Sequence, residues 1–232
     1  MVNARNLKKF TEAVKANLLF SEDNQKQIKK LFFSVINRDE AEYSKFEATL
    51  PSLNEALCAD LKFFMESDPA ADSEEEILLA YPGYSAIASY RIAHAIHGLG
   101  YKLQARMITE EAHSRTGIDI HPSASLESPL FIDHGTGIVV GETTISGKNV
   151  KIYQGVTLGA LSLKDGSKIK GVKRHPTIGE NVIIYAGASI LGNVNIGSNV
   201  TIGSNVFITE SIPDNVKVSF SKPSLVITEN KR

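Results

Sequence analysis

The sequence predicts an α+β chain: an α-helical N-terminal domain over residues 1–115, then a parallel β-helix over 116–215 and a tail over 216–232. Three observations predict it. In the first half, apolar residues recur at helical spacing behind capping signals. After Gly117 that period disappears, and Val, Ile, Gly, Asn and Ser dominate. From Ile178 the chain then repeats in sixes: IGENVI, IYAGAS, ILGNVN, IGSNVT, IGSNVF, ITESIP.

The helical half reads as segments near 5–18, 22–36, 52–67, 73–80, 83–98 and 101–115. Ser52 and Glu55 make a capping-box pattern after Pro51, with Leu53, Leu57 and Leu61 following at helical spacing. Ser73 and Glu76 repeat the signature ahead of Ile77, Leu78 and Leu79. Cys58, beside Leu57 and Leu61, reads as a small buried hydrophobe. His94, His97 and His113 fall on these helices with no third ligand near in sequence, and take no assigned role.

In the repeat, Ile fills the first place at 178, 184, 190, 196, 202 and 208. Val182, Ala188, Val194, Val200, Val206 and Ile212 fill the fifth. A sandwich strand would alternate in twos and turn only after about 8–12 residues. A turn at every sixth residue instead makes flat strands with tight corners, each sending aliphatic side chains inward onto the coils above and below. Gly and Asn suit the corners because both tolerate left-handed backbone angles. Three hexads make one coil. The phase runs back through Leu158, Ile152, Ser146 and Val140, and in a shifted phase through Ile132, Leu126 and Ile120. Two interruptions stand out. Two extra residues enter between Ile132 and Val140, at Asp133-His134-Gly135-Thr136-Gly137, and a polar loop over 161–173 is thrown out before Arg174-His175. Regularity broken at two places, each carrying a His, marks where function is expected.

Composition narrows the classes. Among 232 residues, 25 Lys+Arg face 26 Asp+Glu, which argues against a dedicated nucleic-acid binder. A single Cys excludes a disulfide framework and a Cys-based zinc site. With no signal-peptide pattern and no apolar run near about 18 residues, a soluble cytoplasmic protein without membrane contact is expected. The β-helix zinc sites of gamma-type carbonic anhydrases include a close His pair, whereas His121, His134 and His175 stand at intervals of 13 and 41 residues and do not resemble them, so no metal is expected. Asp119 precedes His134 by fifteen residues, so the two could face each other on adjacent coils. A carboxylate on one imidazole nitrogen fixes the tautomer and leaves the other as a base for a hydroxyl or amine proton. On the residues alone, two polar side chains at surface corners are the favoured reading of this spacing.

Certain stretches carry a more specific likeness: SDPA (67–70), SYRIAH (89–94), DIHPSA (119–124), FIDHGTGIVVGET (131–143), VTLGA (156–160), RHPTIG (174–179) and the closing hexads. Over about 68–212 the chain resembles serine O-acetyltransferase, the hexapeptide-repeat enzyme that moves acetyl from acetyl-CoA to L-serine. The resemblance implies a left-handed β-helix, with His134 as catalytic base and Asp119 as its orienting carboxylate. It places Asp68 and Asp133 on the substrate ammonium and Arg174 and His175 on its carboxylate, and it lines the acetyl-CoA groove with Gly159, Ala160, Ala186 and Ser204. It also implies direct transfer without metal or acyl-enzyme, trimers or dimers of trimers with sites between subunits, and feedback inhibition by L-cysteine.

Two departures qualify the likeness. The loop before Arg174 is longer than in the common bacterial form, and its Lys164, Lys168, Lys170 and Lys173 against Asp165 suggest a flap holding CoA phosphates. The chain ends on Glu229-Asn230-Lys231-Arg232 rather than in a tail closing on Ile, so a stable complex with O-acetylserine sulfhydrylase is not expected. Two rivals stand beside this reading: a hexapeptide O-acetyltransferase for another acceptor such as homoserine or a sugar, and a non-catalytic binding scaffold. Asp68 and Asp133 weigh against a sugar, and the retained His134 and Asp119 weigh against a scaffold.

Overall fold

The computed structural model describes residues 3–161 and 171–221. Seven helices come first among them: α1 (Ala4–Phe20), α2 (Gln25–Val35), α3 (Glu40–Glu47), α4 (Leu50–Ser67), α5 (Glu74–Ala80), α6 (Pro82–Gly98) and α7 (Lys102–Thr116). Six match the expected segments, and α3 was not expected. It is short and mostly polar, but Asp39 caps it by accepting from the Ala41 N–H at 2.7 Å, and Tyr43 and Phe46 bury one face. There they join Phe10 and Phe32 in an aromatic cluster, with Phe32 and Phe46 stacked at 5.5 Å.

Ser73 caps α5 as expected, accepting from the Glu76 N–H at 3.1 Å. Ser52 does not cap α4. That helix starts at Leu50, and the Ser52 hydroxyl donates to the Thr49 carbonyl at 2.9 Å. Cys58 is exposed, not buried, because it falls on the solvent side of α4 while Leu57 and Phe64 face the core.

The second half is a parallel β-helix with three faces. Face A stacks β1 (Asp119–Ile120), β4 (Val139–Val140), β7 (Thr157–Gly159), β10 (Ser189–Leu191) and β13 (Phe207–Ile208). Face B stacks β2 (Ser125–Leu126), β5 (Ile145–Ser146), β8 (Thr177–Ile178) and β11 (Asn195–Ile196). Face C stacks β3 (Leu130–Asp133), β6 (Val150–Tyr153), β9 (Ile183–Ile184), β12 (Thr201–Ile202) and β14 (Lys217–Val218). The register is the one the hexads specify: Ile120 pairs with Val140, Val140 with Leu158, Leu158's neighbour in the next coil is Ile190, and Ile190 pairs with Ile208. Both phase breaks are absorbed without losing it, since Ile132 pairs with Ile152 and Ser146 with Ile178. One strand, β14, lies inside the segment read as tail. Asn149, Asn181, Asn199 and Asn215 all take positive φ at one corner, and each of the first three donates its side-chain amide to the next at 2.8, 3.0 and 2.9 Å.

The SYRIAH stretch fastens the helices to the first coil. Tyr90 Oη donates to the Ala124 carbonyl at 2.6 Å and accepts from the Leu126 N–H at 3.0 Å. Arg91 forms a buried two-point pair with Asp60, and Asp60 also accepts from the Leu130 N–H and the Ser128 hydroxyl. Gly83 lets α6 lie directly on β3, since a Cβ there would stand 2.2 Å from the Ile132 carbonyl oxygen. The core is continuous from α4 and α6 into the solenoid. No helix of the described residues is long and apolar enough to cross a membrane.

Candidate active site

The candidate residues gather at two corners of the prism. The first lies between faces C and A. Here β3 ends at Asp133, and the two inserted residues swing the chain outward through His134 (φ 56°) and Gly135 (φ 84°). A Cβ on Gly135 would meet Ile118 Cδ1 at 2.3 Å, so the bend needs glycine there. The left-handed backbone of His134 costs on the order of 1–2 kcal/mol, a strain of the kind kept at functional sites. Its ring projects into solvent, 70% exposed, with Nδ1 3.6 Å from Asp133 Oδ1.

Asp68 reaches this corner from the C-terminal end of α4. The Ala70 N–H and the Tyr81 hydroxyl donate to its two oxygens at 2.9 and 2.8 Å. Tyr153 pairs with Asp133 across the ladder and stacks on Tyr185 at 5.1 Å. The bond to Asp68, with burial and nearby carboxylates including Asp133, pushes the Tyr81 phenol up to about 12. Burial, then Asp133, Tyr185 and Asp68, raises Tyr153 as well. Tyr81 and Tyr153 both feel Asp68 and Asp133, so the two carboxylates serve the same corner as His134.

Asp119 lies on the outer side of face A, its strand paired with Val139. Its Oδ1 is 3.4 Å from Arg106 Nη1, and Arg106 also pairs with Glu110. No hydrogen bond joins Asp119 to His134 within the chain. Glu110, His113 and Asp119 bring ligand atoms within 4.8 Å of one another, but the Arg106 guanidinium already engages both carboxylates. The three β-helix histidines are not part of that group.

The second corner lies between faces A and B. There the chain enters β8 through Lys173, Arg174 and His175. Arg174 Nη2 donates to Glu142 Oε2 at 2.5 Å. The His175 ring is buried against Gly141. Its Nδ1 accepts from the Thr143 N–H at 3.1 Å and is 2.8 Å from the Thr143 hydroxyl, which itself accepts from the N–H groups of Arg174 and His175 at 3.0 and 3.1 Å. An accepting Nδ1 assigns the proton to Nε2. Burial, with Arg174 adding to it, holds this imidazole down to about 4, so it is neutral near pH 7. His121 sits at the same corner two coils away, where its Nδ1 accepts from the Ser123 N–H at 3.1 Å and closes the turn.

The two corners are separated by the width of face A. From Gly137 to Gly141 alone the strand rises about 13 Å, at ~3.3 Å per residue. The ammonium and carboxylate of an amino acid hang from one carbon, so Asp68 and Asp133 of one chain and Arg174 and His175 of that same chain cannot hold the same molecule. The small residues divide the same way. Ala186 and Ser204 stack above the His134 corner, where the Asn205 N–H donates to the Ala186 carbonyl. Gly159 ends β7 and Ala160 follows it at the other corner, where a Cβ on Gly159 would meet Leu191 Cδ2 at 2.9 Å.

Tyr81, Glu142 and Thr143 were not assigned from the sequence. Glu142 and Thr143 lie inside the FIDHGTGIVVGET stretch, so a signal was present. Lys173 departs from its expected role: its ammonium is enclosed by backbone carbonyls and does not reach out for phosphate. Lys164, Asp165, Lys168, Lys170 and the closing residues 222–232 lie outside the described residues.

Comparison with known proteins completes the picture. The bacterial transferase hexapeptide (six repeats) family matches residues 175–210. A plasmid serine acetyltransferase of Synechococcus elongatus is 47% identical over 171 residues, 72% of this chain and 54% of the relative, so the chain spans about half of that protein's length. A serine acetyltransferase of Staphylococcus epidermidis is 45% identical over 173 residues, 75% of this chain and 78% of the relative. Among solved structures, serine acetyltransferase isoform 3 of Entamoeba histolytica in complex with cysteine superimposes with a TM-score of 0.83 at 34% identity, covering 99% of this chain and 86% of that one.

Proposed function

The chain belongs to the serine acetyltransferase family, and from this premise we propose that it transfers acetyl from acetyl-CoA to the L-serine hydroxyl, giving O-acetyl-L-serine and CoA in cysteine biosynthesis. The observation that carries the reading is the complementarity of the two corners. One offers paired carboxylates, Asp68 and Asp133, beside an exposed imidazole. The other offers a guanidinium and a neutral imidazole N–H. An amino acid carrying a hydroxyl needs both sets, with a base between them.

Because one chain holds the two sets at opposite edges of face A, the working site takes its His134 corner from one chain and its Arg174 corner from a second copy. A trimer, alone or paired as a dimer of trimers, repeats that junction. The acetyl-CoA arm runs between the same two edges, past Ala186 and Ser204 on one side and Gly159 and Ala160 on the other.

In the reaction, His134 takes the serine hydroxyl proton as the oxygen attacks the thioester carbonyl. The tetrahedral intermediate collapses, and the protonated His134 returns the proton to the departing CoA sulfur. Asp119 orients His134 and stabilises its cationic form; in this arrangement it exchanges its contact with Arg106 for one with the imidazole. No acyl-enzyme forms. L-cysteine, which differs from serine only in carrying SH for OH, fits the same groups as an inhibitor, in keeping with the cysteine complex of the Entamoeba relative. The protein works in the cytoplasm.

Thiol release from acetyl-CoA with a panel of amino acids and sugars tests the reading. Serine-dependent release is expected, reduced roughly 10²–10⁴-fold in His134→Ala, the range a general base supplies. Release that depends on homoserine or a sugar but not on serine, or full activity in the variant, would overturn it.

A further inference from the structure

We propose that Lys173 is a positioning residue for the carboxylate end of the amino-acid site: its ammonium draws three backbone carbonyls to one point and so sets the backbone from which Arg174 and His175 project. The inference rests on the serine-transfer reading and adds a residue to it.

The geometry is specific. Lys173 Nζ donates to the carbonyls of Thr143 at 2.7 Å, His175 at 2.5 Å and Pro176 at 3.1 Å. An ammonium has three N–H groups, and each has a carbonyl here. Nothing is left over for a phosphate. Among the described residues no carboxylate lies within ion-pair distance of it, and burial holds the group below the usual lysine range. A lysine half-removed from water and satisfied by backbone alone is a tie between segments.

The segment needs such a tie. The chain re-enters the solenoid here, and the ladder between coils resumes at Pro176, whose carbonyl accepts from the Ile145 N–H at 3.2 Å. Residues 173–175 lie outside that ladder. They are held instead by Thr143, through its hydroxyl on the Arg174 and His175 N–H groups, and by Lys173, which binds the carbonyl of that same Thr143. The two ties bracket the His175 backbone, Thr143 accepting from its N–H and Lys173 donating to its carbonyl. Arginine could not substitute, because its donors fan out in a plane whereas these three carbonyls converge. Such a device acts on the serine carboxylate and leaves the acetyl-CoA side alone.

The test is a steady-state comparison of the full-length wild type, Lys173→Met and Lys173→Arg. Methionine keeps the aliphatic stem and removes the three donors. The KM for L-serine is expected to rise on the order of 10-fold or more as these charge-assisted bonds are lost. The KM for acetyl-CoA and the oligomeric state should stay as in the wild type, and Lys173→Arg should not restore the serine KM. An unchanged serine KM, or a rise confined to acetyl-CoA, overturns the proposal; the latter would return Lys173 to a phosphate-binding role. If Lys173→Met does not fold, Lys173→Gln is read in the same way, with L-serine binding followed by calorimetry, and unaltered binding rejects the tie. Failure of the wild type to release CoA with serine would instead sink the function reading, so the two failures are distinguishable.

Discussion

A Cβ at Gly141 would stand 2.0 Å from His175 Cδ2 and 2.2 Å from its Nε2. The imidazole therefore occupies the space that a side chain on the neighbouring coil would fill and that only glycine leaves open. Gly141→Ala must push the ring off its seat and away from Thr143. The coil itself should survive, because the ladder bond from the Gly141 N–H to the Leu158 carbonyl does not involve the side chain. We expect serine-dependent turnover to fall about 100-fold, which corresponds to ~2.7 kcal/mol, while circular dichroism and the acetyl-CoA KM stay close to wild type. Turnover within a factor of two of wild type would mean the ring position does not matter.

The same burial makes His175 a source of acid sensitivity. Its folded value of about 4 lies below the 6.5 of the free side chain. Between those values the unfolded chain binds a proton that the folded chain refuses, so stability rises with pH across the window and falls on acidification. Above pH 6.5 both states are neutral and the contribution is constant. Urea unfolding from pH 7.5 to 4 should therefore show stability declining below 6.5, by at most ~1.4 kcal/mol per pH unit from this group. His121 and His97 are lowered too, and they bend the curve the same way. The wild type minus His175→Asn difference isolates the one residue, and an identical slope in both proteins would rule it out.

Tyr81 supplies one of the two donors to Asp68, the other being the Ala70 N–H. Tyr81→Phe keeps the ring beside Phe64 and removes only the hydroxyl. A neutral donor to a carboxylate is worth about 1.5–3 kcal/mol when the acceptor is charged, less where water can replace it. The serine KM should rise roughly 5- to 10-fold, with kcat changed less and cysteine inhibition weakened in parallel. A loss of kcat with the serine KM intact would place Tyr81 with the reacting atoms instead.

The register of the solenoid was legible because the first and fifth residues of each six are aliphatic and point inward, and a two-residue slip at His134 or a long insertion before Arg174 shows at once against that beat. The division of the site between two corners was also within reach. His134 falls six residues before Val140 of face A, whereas His175 falls three before Ile178 of face B. Counting hexads in threes separates them. What could not be read was anything set by backbone carbonyls. Lys173 looked like its loop neighbours because a carbonyl cage has no sequence signature. Cys58 sits next to Leu57 in sequence, but on a helix adjacent residues point about 100° apart. The short helix α3 escaped because its stability comes from Tyr43 and Phe46 packing on Phe32, not from its own pattern.

Thr144 and Ser146 are the places where the inward beat itself fails. Both side chains point into the solenoid at 1% exposure, and neither hydroxyl has a hydrogen-bond partner among the described residues. Their neighbours in the stack are aliphatic: Ser146 lies between Leu126 and Ile178 in the ladder. A buried hydroxyl left without a partner costs about 1–3 kcal/mol, and removing it without changing shape recovers part of that. Thr144→Val is isosteric and Ser146→Ala opens little space, so each should stabilise the protein by ~1 kcal/mol. For a chain of this size that is roughly 2–4 °C in the unfolding midpoint. The two positions are two residues apart on one inward surface, so the double variant is expected to give less than the sum. Calorimetric scans of both singles and the double are the check. A lowered midpoint in Thr144→Val would show that its hydroxyl is bonded in solution, and would remove the reason for expecting any gain at Ser146.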